Sequence, residues 1–205
     1  MIELVAFLGN PGVEYAGNRH NAGWLLAEKA ARLFSITWRK KFKGLYAEVE
    51  MPSGTTGGST VPGGAGSVSP KKFLKPETFM NLSGDAISAT AVFFKIPVEH
   101  ILIIHDELDL NLGQVSVKFS GGLNGHNGLR SIKAAFNSAD FWRLRIGIGR
   151  PADGDVYRWV LSDFTADEAP ALDAALTAGA DVLARALVEG ADTLLPEWGK
   201  KTVYG

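Results

Sequence analysis

Histidine, aspartate and asparagine recur in four short polar segments of the chain, and side chains of these types can together activate a water molecule. The segments are GNPGVEYAGNRHNAGW (9–24), PETFMNLSG (76–84), HDELD (105–109) and GGLNGHNGL (121–129). The candidate side chains within them are Asn10, His20, Asn21, Asn81, Asp106, His126 and Asn127.

The chemistry available to this set is general-base hydrolysis. A neutral histidine beside a carboxylate can take a proton from water, because the carboxylate fixes the tautomer and stabilises the imidazolium. Such a base accelerates a reaction by roughly 10²–10⁴. Asparagine amides can hold a carbonyl and its developing oxyanion, and they also pair with peptide groups. The chain has no cysteine and no G-x-S-x-G motif, so the set predicts attack by water on an activated acyl group, with peptide-like recognition.

Ordinary structural roles remain open for each candidate. Asn10 precedes Pro-Gly and fits a turn, and Asn81 could cap the helix that follows it. Asp106 could cap a loop, His126 could hold a glycine-rich hinge, and His20 could be a buried packing residue. A metal site is a further alternative, for which the competent ligands are His105, Asp106, Glu107, Asp109 and His126. The chain has no H-x-H, H-E-x-x-H or H-x-x-x-H pair, which weakens that alternative.

Hydrophobic patterning indicates the elements that must position these side chains. Apolar or alternating runs predict strands at 2–9, 42–51, 71–76, 100–107, 114–120 and 142–149. Helical spacing predicts helices at 21–36, 83–96, 129–136 and in the last third of the chain, where Thr165 and Glu168 have the spacing of a capping box. This alternation indicates an α/β fold: a single-domain sandwich of a mixed, mostly parallel twisted β-sheet covered by helices. The polar segments follow strands, so we expect them to meet at the carboxyl edge of the sheet.

Composition and charge limit the class of protein. Hydrophobic residues make up 46% of the chain and charged residues 21%, and no apolar run approaches the roughly 18 residues of a membrane helix. The first residues lack the basic region and cleavage site of a signal peptide, so we expect a cytoplasmic protein. The net charge is −1, yet residues 39–43, 71–75 and 143–150 are basic. These cations could form a local nucleic-acid face, or they could be solvated charges on strands and loops.

Several longer motifs resemble the bacterial peptidyl-tRNA hydrolase family. They are FLGNPGVEYAGNRHNAGW, KPETFMNLSG, HDELDLNLGQVSVKFSGG, GHNGLRSI and FWRLRIGIGRP, and they occur in the family's order. The resemblance covers nearly the whole chain except residues 53–69, a Gly/Ser/Thr/Pro-rich tract that we predict to be a flexible insertion. It implies cleavage of the ester between a peptide and the 3′ end of tRNA, without a metal or organic cofactor, by a monomer.

The resemblance also implies roles for individual residues. His20 would be the catalytic base, Asp106 its orienting carboxylate, and Asn10 a catalytic and peptide-holding amide. The substrate-binding residues would be Tyr15, Asn21, Met80, Asn81, His126 and Asn127, of which His126 and Asn127 would meet the acceptor end. Lys118 and Arg145 match a basic pair that holds the terminal phosphate of tRNA, and residues 150–163 would form a mobile lid.

Two features depart from the family pattern. Leu123 and Asn124 stand where many members have a Gly/His-rich pair, which affects contacts with the acceptor end, and the 53–69 tract is unusually long. Two other functional classes also stay open. One is a relative that binds RNA without cutting it, and the other is a metal-dependent hydrolase of a small ester or amide.

Overall fold

The computed structural model describes residues 1–51, 70–152 and 154–204. The predicted insertion at 53–69 lies outside the described residues. In the described part of the chain, no helix has both the length and the apolar character needed to cross a membrane.

Eight strands form one mixed sheet at the centre of the fold. The strands are β1 (Leu4–Phe7), β2 (Arg39–Lys41), β3 (Gly44–Val49), β4 (Lys71–Pro76), β5 (Ile101–Glu107), β6 (Gln114–Phe119), β7 (Trp142–Gly147) and β8 (Lys201–Thr202). Their order is β2-β3-β4-β1-β5-β7-β6-β8. The central strands β4, β1, β5 and β7 are parallel, and the flanking strands pair antiparallel. The predicted mixed α/β sandwich is confirmed.

Helices cover both faces of the sheet. They are α1 (Ala22–Leu33), α2 (Ser83–Phe94), α3 (Asn127–Phe136), α4 (Val156–Val160), α5 (Ala169–Val188) and α6 (Leu195–Trp198). The alternation of β1 divides the core, because Val5 and Phe7 pack with α1 and α5 while Leu4 and Ala6 pack with α2 and α3. The predicted capping box is present, since Thr165 and Glu168 bond reciprocally just before α5.

The sequence prediction missed the shortest elements. β2 consists of three exposed basic residues, so it carries no hydrophobic alternation that could reveal a strand. β8 has two residues and α4 has five, which is too short for a periodic signal.

Gly23 explains how α1 begins so close to the sheet. A Cβ atom at Gly23 would lie 2.5 Å from the Leu8 carbonyl oxygen and 2.6 Å from that of Ile104. Only a residue without a side chain allows the first turn of the helix to rest on the end of β1 and the middle of β5. The 3-10 turn Arg19–Asn21 immediately precedes this contact, and it is thereby held over the carboxyl edge of the sheet.

Candidate active site

His20 and Asp106 form a buried pair at the carboxyl edge of the sheet. The Nδ1 atom of His20 lies 2.9 and 3.0 Å from the two carboxylate oxygens of Asp106, the second-last residue of β5. Burial would raise the pKa of Asp106, but His20 and His126 outweigh it and hold that pKa well below its usual range. An ionised carboxylate only accepts hydrogen bonds, so Nδ1 of His20 carries the hydrogen and Nε2 is the free basic atom.

Asp106 also tunes the basicity of His20. Burial would lower the pKa of the imidazole, but the charge of Asp106 and its hydrogen bond exceed that effect and raise the pKa above 6.5. His20 is therefore a stronger base than an ordinary histidine, and it becomes neutral at a correspondingly higher pH.

His126 is bound to the same carboxylate, and its tautomer is set by a helix. Its Nδ1 atom accepts hydrogen bonds from the backbone N–H groups of Gly128 (3.1 Å) and Leu129 (3.4 Å), which caps α3. Its Nε2 atom must then carry the hydrogen, and it donates this hydrogen to Asp106 at 3.0 Å. His126 thus combines an N-cap role for α3 with a hydrogen bond to Asp106.

His105 lies behind this pair and belongs to the core. Its Nδ1 atom lies 2.6 Å from the Asp106 carbonyl oxygen, and its ring packs edge-on against His126 with centroids 5.0 Å apart. Burial, followed by the nearby His126, lowers the pKa of His105 well below 6.5 and keeps the ring neutral. Its Nε2 atom is buried and has no partner among the described residues.

The metal alternative meets a proton conflict at this site. His20, Asp106 and His126 bring potential ligand atoms within 4.8 Å of one another. A metal at the Nε2 atom of His126 would require that atom to lose its hydrogen, while the backbone N–H groups of α3 occupy the other nitrogen. The hydrogen bonds therefore favour an arrangement in which two imidazole N–H groups donate to the Asp106 carboxylate, and they disfavour a metal centre.

A hydrogen bond to its amide oxygen orients the side chain of Asn10. The backbone N–H of Met80 donates to Oδ1 of Asn10 at 2.7 Å, which leaves the side-chain NH₂ group as the available donor. The side chain of Asn21 holds the Asn10 backbone, accepting from its N–H at 2.9 Å and donating to its carbonyl at 3.0 Å. Asn21 is fully buried and both of its amide atoms are used. Asn21 therefore positions Asn10, and the substrate-binding role predicted for Asn21 stays a prediction.

Two cavities meet at His20. The first cavity, of about 370 Å³, is lined by Glu107, Leu108, Leu123, Asn124 and Arg130 among others. The second cavity, of about 440 Å³, is lined by Asn10, Tyr15, Phe79, Met80 and Asn81. His20, Asn127, Tyr157 and Val160 border both. The exposed Asn81 is not the predicted cap, because Phe79 and Leu82 occupy the cap positions of the two helical turns there.

The predicted basic pair lies on the neighbouring strands β6 and β7. Lys118 is opposite Arg143 and Ser116 is opposite Arg145, so all four side chains share one face of the sheet. Arg145 donates to Glu107 at 3.3 Å and to Ser116 at 2.8 Å, while Lys118 is partly exposed. The two cations therefore lie on the Glu107 side of the site, away from Asn10.

The segment around 150–163 is tied to Arg19, the residue before His20. The Arg19 guanidinium is buried 3.8 Å from the Trp159 ring and pairs with Glu168 at 2.9 Å. The Arg19 backbone N–H donates to the Ser162 carbonyl at 2.9 Å, and Asn18 bonds Asp163. The predicted lid stays a prediction, but this anchoring is a feature that the sequence did not reveal.

Fold and site together define a class: α/β proteins with a histidine–carboxylate base between two cavities at the carboxyl edge of a parallel sheet core. The family model described as peptidyl-tRNA hydrolase matches residues 4–203. A peptidyl-tRNA hydrolase of Desulfitobacterium hafniense is 42% identical over 93% of this chain and 96% of its own length. One of Azorhizobium caulinodans is 44% identical over 91% and 84%. The crystal structure of peptidyl-tRNA hydrolase from Acinetobacter baumannii is similar at a TM-score of 0.80 and 35% identity, covering 97% of this chain and 96% of that one. The chain belongs to the peptidyl-tRNA hydrolase family.

Sequence reasoning missed three residues that shape this site: Arg19, Glu107 in its contact with Arg145, and Tyr157. Arg19 and Glu107 are charged residues that are buried, which is unusual for their types. Their partners, Glu168 and Arg145, lie 149 and 38 positions away in the chain, so the local sequence does not predict the burial. The position of Arg19 beside His20 was the one available signal.

Proposed function

We propose that this chain hydrolyses the ester that joins a peptide to the 3′ end of tRNA, releasing the peptide and a tRNA that can be reused in translation. The His20–Asp106 pair carries the proposal, because it presents a free and strengthened base between two cavities of different character. Family membership supplies the substrate class.

The first chemical step uses water as the nucleophile. Nε2 of His20 takes a proton from a water molecule whose oxygen attacks the ester carbonyl carbon, and Asp106 stabilises the imidazolium. The carbonyl oxygen becomes an oxyanion, which the NH₂ group of Asn10 stabilises by a hydrogen bond. The proton then passes from His20 to the departing ribose oxygen, so that a carboxylic acid and a free hydroxyl are formed.

The two cavities divide the substrate in this proposal. The second cavity takes the peptide, since Asn10 and Asn81 can pair with peptide groups and Met80 and Tyr15 give apolar contact. The first cavity takes the acceptor end, because it leads toward the side of the sheet that carries Lys118 and Arg145. Asn127 borders both and would contact the terminal nucleoside.

The first cavity also contains the departure from the family pattern. The side chain of Asn124 donates to Asp109 at 2.8 Å and to Glu107 at 3.2 Å, which ties the 121–125 loop across this cavity to the HDELD segment. We expect acceptor-end contacts here to depend on this loop. We further propose that the chain acts as a monomer in the cytoplasm, with the acceptor stem and the CCA end as its RNA contacts.

The test is incubation with an N-blocked aminoacyl-tRNA and measurement of released tRNA. We expect turnover by the wild type, and loss of at least about a hundredfold in kcat for His20→Ala with little change in KM, because a base acts on the transition state. Turnover should survive EDTA when the tRNA is shown by melting to stay folded. A folded His20→Ala variant with near-normal kcat would remove the base assignment. Inhibition by EDTA that divalent ions reverse would favour the metal alternative.

A further inference from the structure

Helix α2 presents an apolar stripe to solvent. The stripe consists of Leu82, immediately before the helix, and of Ala89, Val92 and Phe93 within it, a spacing that places all four on one face. Leu82 is 47% exposed, Val92 77% and Phe93 61%. Large apolar side chains that share an exposed face usually mark a contact surface, whereas isolated ones need no explanation.

The stripe is continuous with the second cavity. Phe79 lines that cavity and is itself 54% exposed, and its carbonyl accepts a hydrogen bond from the Leu82 N–H at 2.8 Å. One helical turn therefore connects the cavity wall to the start of the stripe. Tyr157 also lines this cavity and is 77% exposed, but α4, which carries it, has only five residues and offers no comparable stripe.

The far end of the stripe is held in place although it is exposed. The Phe93 ring contacts the rings of Phe42 and Phe94, with centroids 5.3 and 4.9 Å apart, and Lys41 Nζ lies 4.5 Å from its centroid. Asp85 lies on the same face, three residues after Leu82 and four before Ala89, and its carboxylate pairs with Lys43 at 3.2 Å. A ligand would thus meet an ordered surface and would lose little conformational entropy in ordering it.

We propose that the α2 stripe binds the upstream part of the peptide in peptidyl-tRNA, and that it favours apolar peptides. The inference rests on the proposed function and on the assignment of the second cavity to the peptide. From Leu82 to Phe93 the helix rises about 16 Å, which an extended chain covers in about five residues. The stripe therefore serves substrates with peptides of several residues and leaves an N-blocked single aminoacyl group unaffected.

The experiment compares kcat/KM for three esters of the same tRNA: an N-acetyl-aminoacyl ester, and two six-residue peptidyl esters that differ only in the first four residues, apolar or polar. We expect the wild type to prefer the apolar peptide by about tenfold, from the partial burial of a few side chains. The Leu82→Gln/Val92→Gln/Phe93→Gln variant should lose this preference and retain wild-type activity on the short ester. Because Phe93 also packs against other rings, Val92→Gln alone tests the same effect in a fold with intact ring packing, with a smaller loss expected.

The matched control is Leu33→Gln/Val188→Gln, which makes two exposed apolar side chains on α1 and α5 polar in the same way. It should keep the preference for the apolar peptide. A wild type that does not distinguish the two peptides overturns the inference, as does a variant that loses the same factor on all three esters. If the wild type hydrolyses both peptidyl esters equally well, the stripe proposal fails while the hydrolase proposal stands. If it hydrolyses none, the proposed function fails and the inference falls with it.

Discussion

Asp106 is the residue on which two imidazoles depend, because it orients His20 through Nδ1 and accepts from His126. Sequence alone placed His20 and Asp106 in one site from their positions after predicted strands. It could not determine the tautomer of His126, because that depends on two backbone N–H groups at the start of α3. Which ring nitrogen carries the hydrogen depends on contacts in the folded structure, so motif spacing cannot predict it.

The Asp106→Asn variant should show two separable effects. Turnover should fall by roughly tenfold to hundredfold, because the orienting charge is lost. The base is active when neutral, so kcat/KM of the wild type should fall as pH drops through a His20 pKa that lies above 6.5. Without the carboxylate, only burial acts on the pKa of His20, and burial lowers it. The acidic limb of the pH profile of kcat/KM should therefore move to lower pH in this variant.

The control for this prediction is Glu3→Gln, which removes the carboxylate of the surface pair between His100 and Glu3 (2.6 Å). This variant should keep the wild-type pH limb and turnover. A limb that stays in place in Asp106→Asn would show that His20 is not the group that titrates in the profile.

Among the elements, the parallel core and the main helices could be predicted because each carries a long apolar pattern. β5 is the clearest case, with a continuous run of buried aliphatic residues from Ile101 to Ile104. α4 could not be predicted, since it has only five residues and is held in place by the contact between Arg19 and Trp159. Short elements owe their structure to contacts that are distant in sequence, and such contacts leave no local signal.

The Gly23→Ala variant tests whether Gly23 is needed for the close contact of α1 with the sheet or only for backbone flexibility. A methyl group there meets backbone oxygens that cannot move independently of β1 and β5, so the start of α1 and the attached His20 must shift. We expect a loss of about 1–3 kcal/mol in the free energy of unfolding, and a fall in kcat, since a displaced base costs rate. Denaturant unfolding and steady-state kinetics measure both.

The matched variant is Gly122→Ala, where the nearest neighbour of the new methyl group is the Asn124 side chain at 3.7 Å. Its stability and kcat should stay close to those of the wild type. Equal effects at both glycines would mean that backbone flexibility, and not the contact of α1 with the sheet, is what Gly23 provides.

Arg19→Lys tests the anchoring of α4. Lysine keeps the charge but loses the planar contact with Trp159 and the directed bond to Glu168. We expect amide hydrogen exchange in residues 155–163 to become about tenfold faster, and KM to rise more than kcat falls, because Tyr157 and Val160 line both cavities. The acidic pH limb should not move, since Asp106 sets the pKa of His20.

Arg32→Lys is the control, because Arg32 is exposed on α1. It should change neither the exchange rates nor KM. A moved pH limb in Arg19→Lys would instead show that the guanidinium acts directly on His20, and uniform acceleration of exchange would assign Arg19 to global stability alone.

At the scale of the whole molecule, the distribution of charge decides how RNA can be held. A net charge of −1 gives no general attraction to a polyanion, so a few well-placed cations must supply it. Arg145 is held by Glu107 and Ser116 and is mostly buried, which fixes its guanidinium on the same face of the sheet as the partly exposed Lys118. A preorganised pair of this kind suits one phosphate better than a diffuse basic surface does.

The last prediction is that Lys118 and Arg145 act on tRNA binding and not on the chemical step. The Lys118→Ala/Arg145→Ala variant should raise KM for N-blocked aminoacyl-tRNA and reduce the slope of log(kcat/KM) against log salt by about 0.7–1 for each lost contact, because fewer counterions are released on binding. A minimal ester with the acyl group and terminal adenosine but no 5′ phosphate should be hydrolysed as by the wild type. The control Lys40→Ala/Lys95→Ala removes two exposed cations elsewhere and should leave the slope nearly unchanged. Equal losses of the first variant on both substrates would mean that the pair supports the catalytic pocket through Glu107, and the phosphate assignment would have to be withdrawn.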